Sequence, residues 1–189
     1  MKSIIIILAG GKGSRISSNK YKQYINVNGH TILEHTLIKF KQAFNKKNII
    51  IVISQLQSKS NLINIYNKYT SHNLVDGGKS RKESVENALR YINKLDEKPE
   101  NILIHDAARP NISLKLIQNI KKNINKKNIN FVIPYTNIDS SMKEKNFNRI
   151  KSVNRKNYIT TQTPQAFKYK IINKLYFNKH LVTDDAELA

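Results

Sequence analysis

From Ser3 to Leu8 the chain is continuously apolar and rich in Ile, and it passes directly into Ala9-Gly10-Gly11. An apolar run of this length, bounded by glycine, predicts a strand covered on both faces, as in a parallel sheet. Leu33, Leu37, Phe40 and Phe44 then recur at steps of four, three and four, the stripe of an amphipathic helix from about Thr31. Ile49 to Ile53 predicts a second buried strand, Leu56 to Tyr69 a polar helix, and Leu74 to Asp76 a short third strand ending at Gly77-Gly78. Ser80 and Glu83 have capping-box spacing ahead of a helix whose buried face is Val85, Ala88, Leu89, Ile92 and Leu95. Ile102 to Ile104 predicts a strand running into His105-Asp106. Leu116, Ile117, Ile120 and Ile124 mark one side of a further helix, and Phe131 to Pro134 another strand.

This alternation of strand and helix predicts an α/β fold, a Rossmann-like, doubly wound and mainly parallel sheet, in one domain over residues 1–189. Between Asp139 and about Tyr158 the helical period is lost and short runs such as Ile150 to Val153 stand in a polar background, which predicts a β-arm protruding from the sheet. Thr160 to Gln165 is expected to return to the sheet, and Ala166 to Phe177 to be helical.

The formal charge of +20 raises nucleic-acid binding as a reading, but it comes from a whole-chain bias. Lys (27), Asn (25) and Ile (28) make up 80 of 189 residues while Arg supplies only 6, and the lysines form no stripe with interleaved aromatics. A basic nucleic-acid-binding module therefore stays a distant alternative, recognisable by salt-sensitive DNA binding without stabilisation by a nucleotide. The absence of cysteine excludes disulfides, thiolate catalysis and Cys-based zinc sites. The apolar start from Ile4 to Ala9 is too short for a signal or membrane segment, so a cytoplasmic protein is expected.

Ligands of open α/β sheets sit beyond the carboxyl ends of the strands, and the unusual residues fall there. Strand one ends at Leu8-Ala9-Gly10-Gly11-Lys12-Gly13-Ser14-Arg15, followed by Lys22-Gln23-Tyr24. Glycines let backbone N–H groups approach anionic oxygens, and Arg15 and Lys22 add cationic donors, the makings of a triphosphate cradle. An ordinary strand-to-loop turn is the plainer reading. Gly77-Gly78 with Arg81 and Ser84 follows strand three, where a simple turn competes with a base pocket. His105-Asp106-Ala107-Ala108-Arg109-Pro110 ends strand four, where Asp106 could instead cap a helix or pair with Arg109.

Taken together with Thr163-Pro164-Gln165 and Thr183-Asp184-Asp185-Ala186, these motifs resemble the 2-C-methyl-D-erythritol 4-phosphate cytidylyltransferase family in order and spacing over essentially the whole chain. The resemblance implies a homodimeric nucleotidyltransferase of non-mevalonate isoprenoid biosynthesis. It joins CTP to methylerythritol phosphate, releases pyrophosphate and uses Mg²⁺. By similarity, Ala9, Gly10, Gly11 and Gly13 cradle the triphosphate, Arg15 and Lys22 hold and polarise it, and Gly78, Arg81, Ser84 and Ala107 complete the CTP site. The polyol phosphate falls to Asp106, Arg155, Thr163 and Thr183, with Ser140 or Ser141 from the arm, which in the family crosses the dimer interface; Arg155 also counts among the catalytic residues. Mg²⁺ is expected on the CTP phosphates, with Asp106 as a weaker option.

Several positions depart from the family pattern. Gly10 stands where Ala is usual, Lys79 where an acid is common, and Asn154 where Asp is frequent before Arg155. The arm motif Asp139-Ser140-Ser141-Met142-Lys143 is one residue longer than usual. Family members continue past the Thr-Asp-Asp-Ala motif to a Lys that contacts both ligands, so a truncated sequence is expected here. The alternatives are a ribitol 5-phosphate or other polyol-phosphate cytidylyltransferase, and a bifunctional enzyme carrying a cyclodiphosphate synthase domain downstream.

Overall fold

The structure is a computed structural model that describes residues 2–11, 21–54, 66–71, 73–147 and 149–177. Its centre is a six-stranded sheet ordered β5–β4–β1–β6–β12–β7. The strands are β1 (Ser3–Ala9), β4 (Ile49–Ile53), β5 (Leu74–Asp76), β6 (Asn101–Asp106), β7 (Phe131–Val132) and β12 (Gln165–Lys168). β1 pairs in parallel with both β4 and β6, and β4 with β5; β12 runs antiparallel to β6 and β7.

The Ile run of β1 is continuous because both faces of that strand are core. Ile5 and Ile7 enter one cluster and Ile4 and Ile6 the other, all at 0% exposure. On the first face lie α1 (Ile32–Lys41), through Leu33, Leu37 and Phe40, and α3 (Leu114–Ile124), through Ile117, Ile120 and Ile124. The second face is covered by α2 (Arg81–Ile92), through Val85, Ala88, Leu89 and Ile92, and by α4 (Tyr169–Phe177), through Ile172 and Tyr176. α1 begins one residue after Thr31, which closes a capping box with Glu34.

The helix expected from Ala166 to Phe177 is corrected at its start: Ala166 to Lys168 belong to β12 and the helix begins at Tyr169. Burial between β6 and β7 outweighs the helical pattern there. Of Thr160 to Gln165, expected in the main sheet, Gln165 opens β12, whereas Thr160 and Thr161 belong to β11 (Ile159–Thr161), which pairs with β8 (Tyr135–Asn137) in a separate ribbon. The strand expected to reach Pro134 stops at Val132, and Pro134 has no N–H to continue a ladder. Of the helix expected over Leu56–Tyr69, residues 56–65 lie outside the described ones and 66–69 are helical.

Within the arm, β9 (Lys143–Asn146) and β10 (Arg149–Ser152) form an exposed antiparallel hairpin. A smaller hairpin, β2 (Asn26–Val27) with β3 (His30–Thr31), leads into α1.

Candidate functional site

The strand order reverses between β1 and β6, so their carboxyl ends form the switch point of the sheet. Three backbone bonds hold the strand ends and their loops side by side. Ala107 N–H donates to the Leu8 carbonyl at 3.0 Å, Gly77 N–H to the Ile53 carbonyl at 2.7 Å, and Arg109 N–H to the Asp106 carbonyl at 3.1 Å. From α1, the Thr36 hydroxyl donates to the Ala107 carbonyl at 2.8 Å and pins the same turn from below.

The glycine loop is held by Gln23, which is 3% exposed. Its amide nitrogen donates to the Ala9 carbonyl and, at 3.2 Å, to the Gly11 carbonyl. With these carbonyls turned toward Gln23, the turn Lys22–Tyr24 is fastened to the loop, and half-buried Lys22 is carried to the same strand end. A Cβ on Gly10 would lie 3.6 Å from the Ile53 backbone, an ordinary contact, so Gly and the family's Ala are sterically interchangeable there.

Across the crevice, Ser84 holds the Gly78 turn: its oxygen accepts from Gly78 N–H at 3.1 Å and its hydroxyl donates to the Ser80 carbonyl at 2.8 Å. Ser80 caps α2, accepting from Glu83 N–H, while the Glu83 carboxylate accepts from Lys79 N–H at 2.6 Å. The expected capping box is therefore corrected: the Glu83 side chain reaches one residue past the cap. The turn presents Gly78 beside the positive end of the α2 dipole.

Asp106, at the tip of β6, lies between two guanidiniums, 3.6 Å from Arg81 Nε and 3.0 Å from Arg109 Nε. Arg109 also donates to Gln162 Oε1 at 3.2 Å, so a polar chain crosses the crevice from α2 to the loop before β12. The carboxylate is two-thirds buried yet accessible, and the basic groups around it suit anionic ligands.

His105, one residue earlier, is 1% exposed and its ring leans on Phe40, with centroids 4.9 Å apart. Nε2 lies 3.1 Å from the Arg109 carbonyl and Nδ1 2.9 Å from Thr163 Oγ1. Burial pushes the imidazole from 6.5 down to about 4, with the bond to the Arg109 carbonyl opposing. Between these values an unfolded chain binds a proton at His105 that the folded protein refuses. Stability is thus complete above 6.5 and falls as the pH drops toward 4. Urea unfolding is expected to show an acid loss on the order of 3 kcal/mol attributable to this residue, and His105→Asn should flatten the profile by that amount.

Ala9, Gly10, Gly11, Lys22, Gly78, Arg81, Ser84, Asp106, Ala107 and Thr163 are thus gathered around the strand ends. Ser140, Ser141 and Arg155 belong to the arm, where the exposed Arg155 guanidinium donates to the Asp139 carbonyl. Gly13, Arg15 and Thr183 lie outside the described residues. Gln23, His105 and Arg109 shape the crevice without standing among the expected site residues. Gln23 and His105 are buried polar side chains whose only trace in the sequence was membership of a motif.

Comparison with known proteins agrees with this geometry. A family model described as IspD, 2-C-methyl-D-erythritol 4-phosphate cytidylyltransferase, matches residues 3–189. The bifunctional enzyme IspD/IspF of Pelagibacter ubique is 41% identical over 100% of this chain and 49% of its own length, so the chain spans about half of that relative. The 2-C-methyl-D-erythritol 4-phosphate cytidylyltransferase of Thermosipho melanesiensis is 35% identical over 99% of this chain and 83% of its own. Among solved structures, the 4-diphosphocytidyl-2C-methyl-D-erythritol synthase of Anaerococcus prevotii superposes with a TM-score of 0.79 at 28% identity, covering 99% of this chain and 82% of that one. The chain belongs to the 2-C-methyl-D-erythritol 4-phosphate cytidylyltransferase family.

Proposed function

We propose that this chain transfers CMP from CTP to 2-C-methyl-D-erythritol 4-phosphate, giving 4-diphosphocytidyl-2-C-methyl-D-erythritol and pyrophosphate. The observation that carries this reading is the convergence of the glycine loop, the Gly78–Ser84 turn and the Asp106 cluster on one switch point. A phosphate oxygen of the polyol attacks the α-phosphorus of CTP in line. A bond forms between them, the bond from the α-phosphorus to the bridging oxygen breaks, and pyrophosphate leaves with that oxygen. No side-chain nucleophile is needed; the chain supplies position and positive charge.

In this reading the backbone from Ala9 to Gly13 cradles the triphosphate, with Arg15 and Lys22 on its oxygens. The Gly78 turn, set by Ser84, measures the cytosine and ribose, and Ala107 lies beneath the nucleotide. Asp106 receives polyol hydroxyls, and Thr163, Thr183 and Arg155 complete that pocket with Ser140 or Ser141. Bound together with CTP, Mg²⁺ would neutralise the charge of its phosphates. Among the described residues no group of three His, Asp or Glu side chains is placed to hold a metal ion, and Asp106 is already paired with Arg81 and Arg109. The donor set therefore fits a metal carried by the nucleotide better than one caged by protein.

The arm and its base expose Tyr135 (59%), Phe147 (95%), Ile150 (71%) and Ile159 (53%), which supports a homodimer joined through that surface. Sedimentation should show a dimer at micromolar concentration, and Ile150→Asp should raise its dissociation constant by about tenfold or more. A wild-type monomer at that concentration would refute the assignment. No helix among the described residues is long and apolar enough to cross a membrane, and a cytoplasmic site of action accords with soluble substrates.

Pyrophosphate release from CTP, followed with each polyol phosphate in turn, tests the substrate. Release with the methylerythritol compound is expected, and release with ribitol 5-phosphate alone would overturn the choice. The identity to the Pelagibacter ubique enzyme supports a second reading, in which this domain is one part of a bifunctional protein. The gene sequence beyond Ala189 decides that.

A further inference from the structure

His105 has no part in the transfer chemistry, yet both of its ring nitrogens are spent on the frame of the crevice. Nε2 lies 3.1 Å from the Arg109 carbonyl, and Nδ1 lies 2.9 Å from the Thr163 hydroxyl oxygen. The Thr163 carbonyl also approaches the ring, but the hydrogen-bonded carbonyl is that of Arg109, which can only accept, and this assigns the single N–H of the neutral ring to Nε2. Nδ1 is then a bare acceptor. The one hydrogen of the Thr163 hydroxyl is drawn toward it. Thr163 is half-buried beside the tip of β6, next to Gln162, whose side chain meets Arg109. For any further partner it has lone pairs alone to offer.

We infer that His105 is a positioning residue that fixes the polarity of Thr163, so that its hydroxyl meets the second substrate only as an acceptor. That end of the pocket is matched to a hydroxyl of the polyol and mismatched to its phosphate, whose oxygens bring no hydrogen. The phosphate is thereby directed away from the Thr163 hydroxyl. The Asp106 carboxylate, also an acceptor, extends the same hydroxyl-reading wall. This inference rests on the proposed polyol-phosphate site.

Two isosteric replacements separate the two ring nitrogens. In His105→Asn the amide oxygen stands where Nδ1 was and keeps an acceptor for Thr163. In His105→Gln the amide nitrogen stands where Nε2 was and keeps the donor to Arg109. His105→Gln is expected to raise the KM for the polyol phosphate about tenfold and His105→Asn by no more than about twofold, with the KM for CTP within about twofold in both. Thr163→Val should show the same rise, and adding His105→Gln to it should cost nothing more. Equal effects of Asn and Gln, a parallel rise in the KM for CTP, or additive penalties would each overturn the inference.

Imidazole ¹⁵N spectra of the wild-type chain provide a readout without turnover. The Nε2–H tautomer is expected, with the Nδ1 resonance displaced in Thr163→Val; the Nδ1–H tautomer would overturn the inference. A wild type that fails to turn over the polyol phosphate would strike the proposed reaction instead, so the two failures are told apart by separate measurements.

Discussion

Lys22→Ala is expected to lower turnover of CTP by ~10²–10³-fold while leaving the unfolding midpoint where it is. The side chain lies outside both core clusters, and the turn that carries it is fastened by its neighbour Gln23 to the Ala9 and Gly11 carbonyls. Removing the ammonium therefore leaves the glycine loop and its anchor in place. On the proposed reading, what is lost is a cation beside the phosphates at the moment when the pentacoordinate centre and the leaving pyrophosphate concentrate negative charge. Because that charge is larger in the transition state than in bound CTP, kcat should fall more than KM rises. Steady-state kinetics beside urea unfolding measure both halves. An unaffected rate would remove Lys22 from the catalytic set.

Gly78→Ala should raise the KM for CTP by ~10-fold or more and destabilise the fold by about 1–3 kcal/mol. A Cβ at this position would lie 2.2 Å from Glu83 Cβ, 2.7 Å from its carboxylate and 3.1 Å from its backbone carbon. Glu83 cannot simply swing aside. Its N–H is bound to Ser80 at 3.1 Å and its carboxylate to Lys79 N–H at 2.6 Å, so the first turn of α2 must shift with it. That shift also pulls Gly78 N–H from Ser84 and displaces the turn that is to measure the base. Gly10→Ala is the matched control: its Cβ meets the Ile53 backbone at 3.6 Å, and it should cost less than about 0.5 kcal/mol. Equal penalties at the two glycines would show that the Gly78 turn is not the constrained element.

The strand Ile49–Ile53 was legible in the sequence because burial on two faces leaves a continuous apolar run. The same was not true of β12. Its Gln165-Ala166-Phe167 owes its strand to neighbours on both sides, one more than sixty residues earlier in the chain, and no local pattern carries that information. The candidate site was legible to the extent that chain topology brings strand ends together: the glycine loop, Gly78 and Asp106 are separated in sequence and adjacent at the switch point. Gln23 and His105 were illegible as frame residues because their partners lie 14 and 58 positions away, Ala9 for one and Thr163 for the other. Each reads in isolation as an unremarkable polar residue, and burial alone turns it into an anchor.

The measurement that bears most directly on the assignment is a ³¹P NMR time course of the chain with CTP, Mg²⁺ and 2-C-methyl-D-erythritol 4-phosphate. Loss of the triphosphate and monoester signals with growth of pyrophosphate and of a coupled diphosphate pair is the expected result. Release of inorganic phosphate and CDP, or an unchanged spectrum beside a reaction with ribitol 5-phosphate, would contradict it.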